Sequence, residues 1–215
     1  MKQRLIVALF LLIVTGCAGN RAVTGLDHPA PPGQSAAVVA LNVASVRQRD
    51  ARPSIAYARA RAPALNLSSI RVHIPSNHRP GNVETSSVRP DPQSHFRASD
   101  YQPIADPAAM IRTLNQQLAE RAPEQREIFI FVHGYNNNFA EGLFRNAQIV
   151  QDYGVNSVPI HFAWASAASF TRYLYDRDSA IIARSGLGET LETAARTKAR
   201  GIVLVGHYMG AVVVL

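Results

Sequence analysis

Residues 201–215 read Gly-Ile-Val-Leu-Val-Gly-His-Tyr-Met-Gly-Ala-Val-Val-Val-Leu. Its first part, from Ile202 to Val205, is an apolar and mostly β-branched run, which predicts a strand buried in a parallel sheet. A short glycine-flanked segment, 206–210, follows the strand directly. A second apolar run then begins and predicts a helix, so the stretch has the order strand, sharp turn, helix.

The turn carries one glycine two residues before Tyr208 and another two residues after it, which is the spacing of a nucleophile elbow. In such an elbow the central side chain is exposed on a strained turn, and only small flanking residues let the strand and the helix pack this closely. Gly206, His207 and Gly210 therefore complete the predicted elbow. Because a working elbow carries serine at its centre, the chain has the scaffold of a serine hydrolase with tyrosine at the nucleophile position.

Composition and charge place the chain among globular proteins and argue against a nucleic-acid partner. The 215 residues are 47% hydrophobic, which suits one domain with a sizeable core. The net charge is +7, but the basic residues are almost all arginine and are scattered, with no basic block and no recognisable nucleic-acid module. His73, His78 and His95 are too dispersed to predict a metal site, and we expect no cofactor.

The N-terminus predicts export and lipidation. Lys2 and Arg4 precede an apolar run over residues 5–14, which is too short to span a bilayer and fits a signal peptide. The segment 14–17, Val-Thr-Gly-Cys, resembles a bacterial lipobox, whose cysteine, here Cys17, would be lipidated. Ala18 after it implies the outer membrane, with the protein facing the periplasm. An uncleaved anchor and an ordinary signal peptide with an incidental cysteine are the alternatives.

The remainder divides into a tether and a folded domain. Residues 18–66 are rich in Ala, Pro, Arg and Ser and predict a low-complexity tether, in which 38–46 could form one short helix or strand. From 67 onward we expect a partial domain, with a strand over 69–75, an irregular segment over 96–104 and a helix from Asp106 to about Glu120. Further along we predict strands at 128–132 and 157–164, a helix over 139–153 and a helical stretch over 178–200 interrupted near Gly186 and Gly188. Apolar strands that alternate with helices indicate a parallel sheet.

The segment after the strand at 128–132 begins His133-Gly134-Tyr135 and predicts an oxyanion hole. A carbonyl under attack develops a negative oxygen that needs backbone N–H donors aimed at it in advance. In this kind of fold one donor comes from such a loop and the other from the residue after the nucleophile. Those donors are Tyr135, or else Asn136, together with Met209.

Several separated motifs together resemble a known family. They are Phe131-Val132-His133-Gly134-Tyr135-Asn136-Asn137, Phe162-x-Trp164-x-Ser166, Tyr175-Asp176-Arg177-Asp178-Ser179-Ala180 and Gly206-His207-x-Met209-Gly210. In this order they look like a branch of bacterial α/β-hydrolases that is described as esterase- or lipase-like and was long filed as a domain of unknown function. The resemblance covers residues 67–215. It implies an α/β-hydrolase fold, with a mostly parallel sheet and flanking helices, and an ester-type small-molecule substrate.

The chain also departs from that family's pattern. Tyr208 replaces the serine, and a phenol with a pKa of about 10 is a poor nucleophile without a base. The acid and the histidine that follow the nucleophile in this fold do not occur between Tyr208 and Leu215, so we expect a C-terminally truncated fold. His161 and His207 fit satisfied structural histidines better than a base, and Asp176 and Asp178 fit caps or partners of nearby arginines.

Three functions remain open at this point. The chain is an inactive fragment or damaged form of an esterase-like hydrolase, a pseudoenzyme that acts as a binding module in the envelope, or a structural lipoprotein whose elbow is only a packing turn.

Overall fold

The computed structural model describes residues 21–27, 35–52 and 54–215, and the predicted signal peptide with Cys17 lies outside these residues. The described chain forms one six-stranded sheet. Its strands are β1 (Ser35–Arg49), β2 (Tyr57–Pro75), β3 (Arg97–Ile104), β4 (Glu127–Val132), β5 (Val158–Ala163) and β6 (Gly201–Gly206).

Four helices flank the sheet, and local capping explains where two of them begin. They are α1 (Pro107–Ala119), α2 (Phe139–Asp152), α3 (Tyr173–Ala195) and α4 (Gly210–Val214). The side chain of Asp106 accepts a hydrogen bond from the Ala109 N–H at 2.7 Å, which confirms the predicted cap of α1. Asn138 and Glu141 form a reciprocal capping box at the start of α2. None of the helices in the described ranges is long and apolar enough to cross a membrane.

The strand order is β3-β2-β1-β5-β4-β6. β2 runs antiparallel to both of its neighbours, whereas β1, β5, β4 and β6 pair in parallel. The predicted mostly parallel sheet with flanking helices is therefore confirmed. The parallel strands β4, β5 and β6 all end at the same edge of the sheet, where the loops that follow them meet.

Helices cover both faces of the sheet and create two cores. On one face α1 and α3 pack over β4 and β5, with Leu114, Ile130 and Phe162 fully buried. On the other face α2 packs over β1 to β3, with Phe144, Val72 and Leu41 buried. The central strands are consequently apolar on both sides, which is the burial that their uninterrupted hydrophobic runs predict.

The tether predicted over residues 18–66 is wrong for the part of it that forms β1 and the first half of β2. β1 occupies the middle of the sheet, paired to β2 on one side and to β5 on the other. Its Ala- and Arg-rich composition is unusual for a strand, but Leu41 and Val43 alternate into the core, and sheet pairing decides the conformation. The segment 96–104, expected to be irregular, is β3 for the same reason, since it pairs with β2.

The predicted interruption of the last long helix is also wrong, because α3 is continuous from Tyr173 to Ala195. Gly186 lies where the helix crosses β1, and a Cβ at this position would overlap the Val46 side chain. Gly188 faces open space. Gly186 therefore permits close packing of helix on strand and does not break the helix.

Candidate active site

The site lies at the edge of the sheet where β4, β5 and β6 end. Val132 and Gly206, the last residues of β4 and β6, are direct partners in the parallel register. His133, Trp164 and His207 are the first residues after β4, β5 and β6. The sheet thus brings together three segments that are separated by roughly 30 to 75 residues in the sequence. Open α/β sheets place their functional loops at this edge.

Residues 206–210 have the geometry of a nucleophile elbow. Tyr208 has a φ of +48°, in the left-handed region that a non-glycine residue adopts only under constraint. A Cβ at Gly206 would lie 2.8 Å from the Ala211 backbone, and a Cβ at Gly210 would overlap the Val132 carbonyl oxygen. Both flanking positions therefore require glycine, which is the physical reason for the spacing seen in the sequence.

Tyr208 stands at the apex of this turn with 81% of its surface exposed. Its ring packs edge-on against the ring of His207, with the centroids 4.5 Å apart. Among the described residues, none forms a hydrogen bond with the Tyr208 hydroxyl. No described histidine or carboxylate is thus placed to take its proton.

The loop after β4 lies directly against the elbow. A Cβ at Gly134 would be 3.0 Å from the His207 carbonyl oxygen and 3.4 Å from Tyr208 Cβ, so only glycine allows this approach. Across the described ranges, the backbone N–H groups of Tyr135 and Met209 have no hydrogen-bond acceptor. These are the two groups expected to form an oxyanion hole.

Asn136, the alternative donor, is engaged elsewhere. Its N–H donates to a carboxylate oxygen of Asp176 at 3.4 Å, and its φ is +60°. Tyr135 is the better candidate because its N–H is free. The Tyr135 side chain lies against the start of α3, where its hydroxyl donates to the Phe170 carbonyl and its ring contacts Tyr173.

His133 and Trp164 form a stacked layer beneath the loop. Their rings are nearly parallel, at 9°, with centroids 5.2 Å apart. Each ring nitrogen of His133 lies near a carbonyl oxygen, Nε2 at 3.1 Å from Trp164 and Nδ1 at 2.9 Å from Gly134. Burial, reinforced by the positive charge of Arg47, lowers the pKa of His133 to about 3, so this imidazole is neutral and holds the backbone in place.

His161 is structural as expected, but it is not satisfied. It lies fully buried in β5, stacked on His133 and in contact with Phe131 and Phe139. Neither of its ring nitrogens has a hydrogen-bond partner among the described residues. Burial lowers its pKa well below the usual value, so it too is neutral.

A cavity of about 230 Å³ opens beside the elbow, between the loop after β4 and the start of α2. Its polar walls include His133, His207, Glu141 and Arg145. Partial burial, together with the charge of Arg145, lowers the pKa of His207. The cavity therefore offers a polar space next to the candidate oxyanion hole.

In the part of the chain that the structure describes, no group of three or more His, Cys, Asp or Glu side chains could hold a metal ion.

Two buried charges at the site were missed from the sequence. Arg47 belongs to the supposed tether, and its side chain is fully buried at the end of β1. Asp176 was expected to cap α3 or to pair with exposed arginines, but it is buried and bonds Ser166 and Ala167. Asp178 does pair with Arg177, as predicted. The signal for Arg47 was the alternation of apolar residues over 39–43, which predicts a strand whose inward-facing positions continue to this arginine.

The parallel sheet, the strained elbow after β6 and the paired loop after β4 define an α/β-hydrolase. A family model described as an alpha/beta hydrolase of unknown function (DUF900) matches residues 106–215, just over half of the chain. The chain therefore belongs to this family. The match confirms the family resemblance from α1 onward, although the resemblance had been traced from residue 67. No curated protein and no solved structure matches the chain.

Proposed function

We propose that the chain provides the elbow and oxyanion hole of an esterase-like serine hydrolase, and that Tyr208 prevents it from hydrolysing esters. The observation that carries this proposal is the placement of Tyr208 at the strained apex, beside two free backbone donors on Tyr135 and Met209. Such donors stabilise a carbonyl oxygen that becomes negative during acyl transfer.

The chemistry of the central residue argues against turnover. An alcohol or phenol needs an adjacent base to become a nucleophile at neutral pH. No described side chain forms a hydrogen bond with the Tyr208 hydroxyl, and a phenol oxygen lies several bonds further from the backbone than a serine oxygen. A carbonyl that is held by N–H groups arranged for serine lies close to Cβ of the central residue. The phenol oxygen of Tyr208 would lie beyond that carbonyl and could not attack it.

Hydrolysis of p-nitrophenyl butyrate tests this part of the proposal. The native chain and Tyr208→Phe should both release nitrophenol no faster than buffer alone. If the native chain turns the ester over and the phenylalanine variant does not, Tyr208 is a nucleophile and the proposal is wrong.

A second candidate function is binding without turnover, as a pseudoenzyme in the envelope. It is favoured by exposed apolar side chains around Tyr135, because Phe170 and Tyr173 touch its ring and both are more than half exposed. Such a rim suits the apolar part of a ligand whose oxygen occupies the two N–H groups. A fatty-acid carboxylate has this chemistry.

Titration with butyrate and octanoate tests the binding function. If the rim contacts the acyl chain, octanoate should bind more tightly, with a gain of up to about 0.8 kcal/mol for each buried methylene. Phe170→Ser should reduce that gain, whereas Val88→Ser, which removes an apolar side chain of similar exposure elsewhere, should not. Equal affinities for the two acids in the native chain would contradict a binding role for the rim.

We also propose that Cys17 is lipidated and anchors the protein to the outer membrane, facing the periplasm. The support is the sequence alone, namely the short apolar run over 5–14 and the small residues before the cysteine. Palmitate labelling in a bacterial host should mark the native chain and not Cys17→Ser. Equal labelling of both proteins would contradict the anchor.

A further inference from the structure

Arg47 connects three separate segments of the chain from a fully buried position at the end of β1. One terminal nitrogen, Nη1, donates to the carbonyl oxygens of Ala58 at 3.3 Å and Ser166 at 3.2 Å. The other, Nη2, donates to the carbonyl oxygen of Asn137 at 2.9 Å. Its guanidinium therefore holds the loop after β4 and the loop after β5 in a fixed relation to β1.

Asp176 binds the same two loops. It is fully buried in the first turn of α3 and accepts hydrogen bonds from the Ser166 hydroxyl and the Ala167 N–H, both at 2.6 Å. It also accepts the longer bond from the Asn136 N–H. Ser166 thus joins the two charges, because its carbonyl contacts Arg47 and its hydroxyl contacts Asp176.

The two charges do not form a direct ion pair within 4 Å in the described structure; they act through the backbone between them. Burial lowers the pKa of Arg47 to about 10, partly offset by the attraction of Asp176, so the guanidinium is still charged at neutral pH. Buried charges are weak contributors to stability compared with apolar residues of the same size. Their arrangement here serves to fix geometry, since all of these contacts except the Arg47 bond to Ala58 in β2 end on the loops after β4 and β5.

The loop that they hold contains the candidate oxyanion donor. Asn136 and Asn137, which bond Asp176 and Arg47, follow Tyr135 directly in the sequence. Asn136 has a positive φ, a conformation that asparagine tolerates better than other non-glycine residues, and its N–H is bound by Asp176. Met209, the other donor, lies on the elbow and forms no hydrogen bond with either charge in the described part of the chain.

We propose that Arg47 and Asp176 are positioning residues, which hold the 134–138 loop so that the Tyr135 N–H points to the same place as the Met209 N–H. This inference rests on the proposed oxyanion hole. Neither residue touches a ligand itself. A displacement of about 1 Å in such a site can reduce its effect by up to a hundredfold, so fixing the loop matters.

The test uses the ¹⁵N-labelled full chain and butyrate, whose carboxylate oxygen replaces the oxyanion. In the native chain the amide resonances of Tyr135 and Met209 should shift together on titration. In Arg47→Met the shift at Tyr135 should disappear while Met209 still responds, or the dissociation constant that both amides report should rise at least about tenfold. Arg52→Met is the matched control, because the Arg52 side chain is exposed and, among the described residues, pairs with Asp50 alone.

The outcomes separate the two proposals. If neither amide shifts in the native chain, the oxyanion hole itself is wrong. If both amides respond in Arg47→Met as they do in the native chain, the positioning role is wrong and the proposed function stands. Should Arg47→Met fail to fold, Asp176→Asn is nearly isosteric and should lose the Tyr135 response in the same way; an unchanged response in that variant would overturn the inference.

Discussion

The indole Nε1 of Trp164 donates a hydrogen bond to the backbone carbonyl of His133 at 2.6 Å, and the Nε2 of His133 lies 3.1 Å from the Trp164 carbonyl. The ends of β4 and β5 are thereby locked to each other by two side chains that stack face to face. This layer lies directly beneath the loop that carries Tyr135.

Trp164→Phe should keep the stacking and remove the indole N–H. The carbonyl of His133 would then be buried without this donor, so we expect a loss of about 1–3 kcal/mol in the free energy of unfolding. Urea unfolding followed by circular dichroism measures it, since Trp164 is the sole tryptophan of the chain. Trp164→Phe should also change the chemical shift of the Tyr135 amide. Tyr57→Phe is the control, because it removes a buried hydroxyl that is bonded to Ser68 in the other core and should leave that chemical shift unchanged. An unmoved Tyr135 amide in Trp164→Phe would contradict the support role of this layer.

Gly210→Ala should damage the packing of the elbow against β4. The added Cβ would overlap the Val132 carbonyl oxygen and lie 2.6 Å from that of His133, and both are backbone atoms that cannot move aside easily. We expect a loss of about 1–3 kcal/mol or more in thermal or urea unfolding. Gly188→Ala is the matched control, because nothing lies within 4 Å of its Cβ and alanine favours the helix by up to about 1 kcal/mol. Equal stability of the two variants would show that the elbow is not as closely packed as described.

His161→Leu should stabilise the protein. Because both ring nitrogens of His161 lack a partner, the substitution removes an unsatisfied polar group from the core, which is worth about 1 kcal/mol or more in unfolding free energy. His133→Leu should instead destabilise it, since the single N–H of the neutral His133 can donate to one of the two carbonyl oxygens beside its ring, those of Gly134 and Trp164. If His161→Leu is the less stable of the two, His161 makes hydrogen bonds that this account does not include.

His78 should make stability depend on pH. Its Nδ1 lies 2.9 Å from Glu84 and its Nε2 lies 2.9 Å from Asp152, and this cluster fastens the loop at 78–84 to the end of α2. Burial alone would lower the pKa of His78, but the hydrogen bonds and charges of the two carboxylates outweigh it and raise the pKa. The same imidazolium, with neighbouring N–H groups, outweighs burial at Glu84 and Asp152 and lowers the pKa of each.

The raised pKa of His78 and the lowered pKa values of Glu84 and Asp152 determine how the free energy of unfolding depends on pH. A raised histidine pKa adds stability that is complete below the unfolded value of about 6.5 and is lost as the pH rises through the folded value. The lowered carboxyl pKa values add stability that is lost as the pH falls through them, below about pH 4. His78→Gln should therefore cost about 2 kcal/mol at pH 6 and progressively less at higher pH, measured by urea unfolding. A cost that does not change with pH would contradict a charged His78.

The sequence was sufficient where local geometry demands particular residues. Gly206 and Gly210 are glycines because a Cβ would meet backbone, and that requirement is visible as spacing. Asp106 before Pro107 located the start of α1 for a similar reason. The sequence left 38–46 open as a short helix or strand, and its pairing with β2 and β5 makes it β1. β3 was not predicted because its Ser, Asp and Pro residues are poor strand formers that become a strand through pairing with β2. Asp176 was assigned to the wrong partners. Its hydrogen-bond donors, Ser166 and Ala167, lie in the loop after β5, and no local sequence pattern indicates that the two segments meet.

Tyr208→Ser tests the central claim, that this elbow has its oxyanion donors but no described base for its central residue. Its reaction with p-nitrophenyl butyrate and with a fluorophosphonate should be compared with that of Tyr208→Ala. We predict that neither variant releases nitrophenol above the buffer rate or forms a covalent adduct. Stoichiometric labelling or steady turnover by the serine variant would contradict the account, because it would mean that a base and an acid are already in place around residue 208.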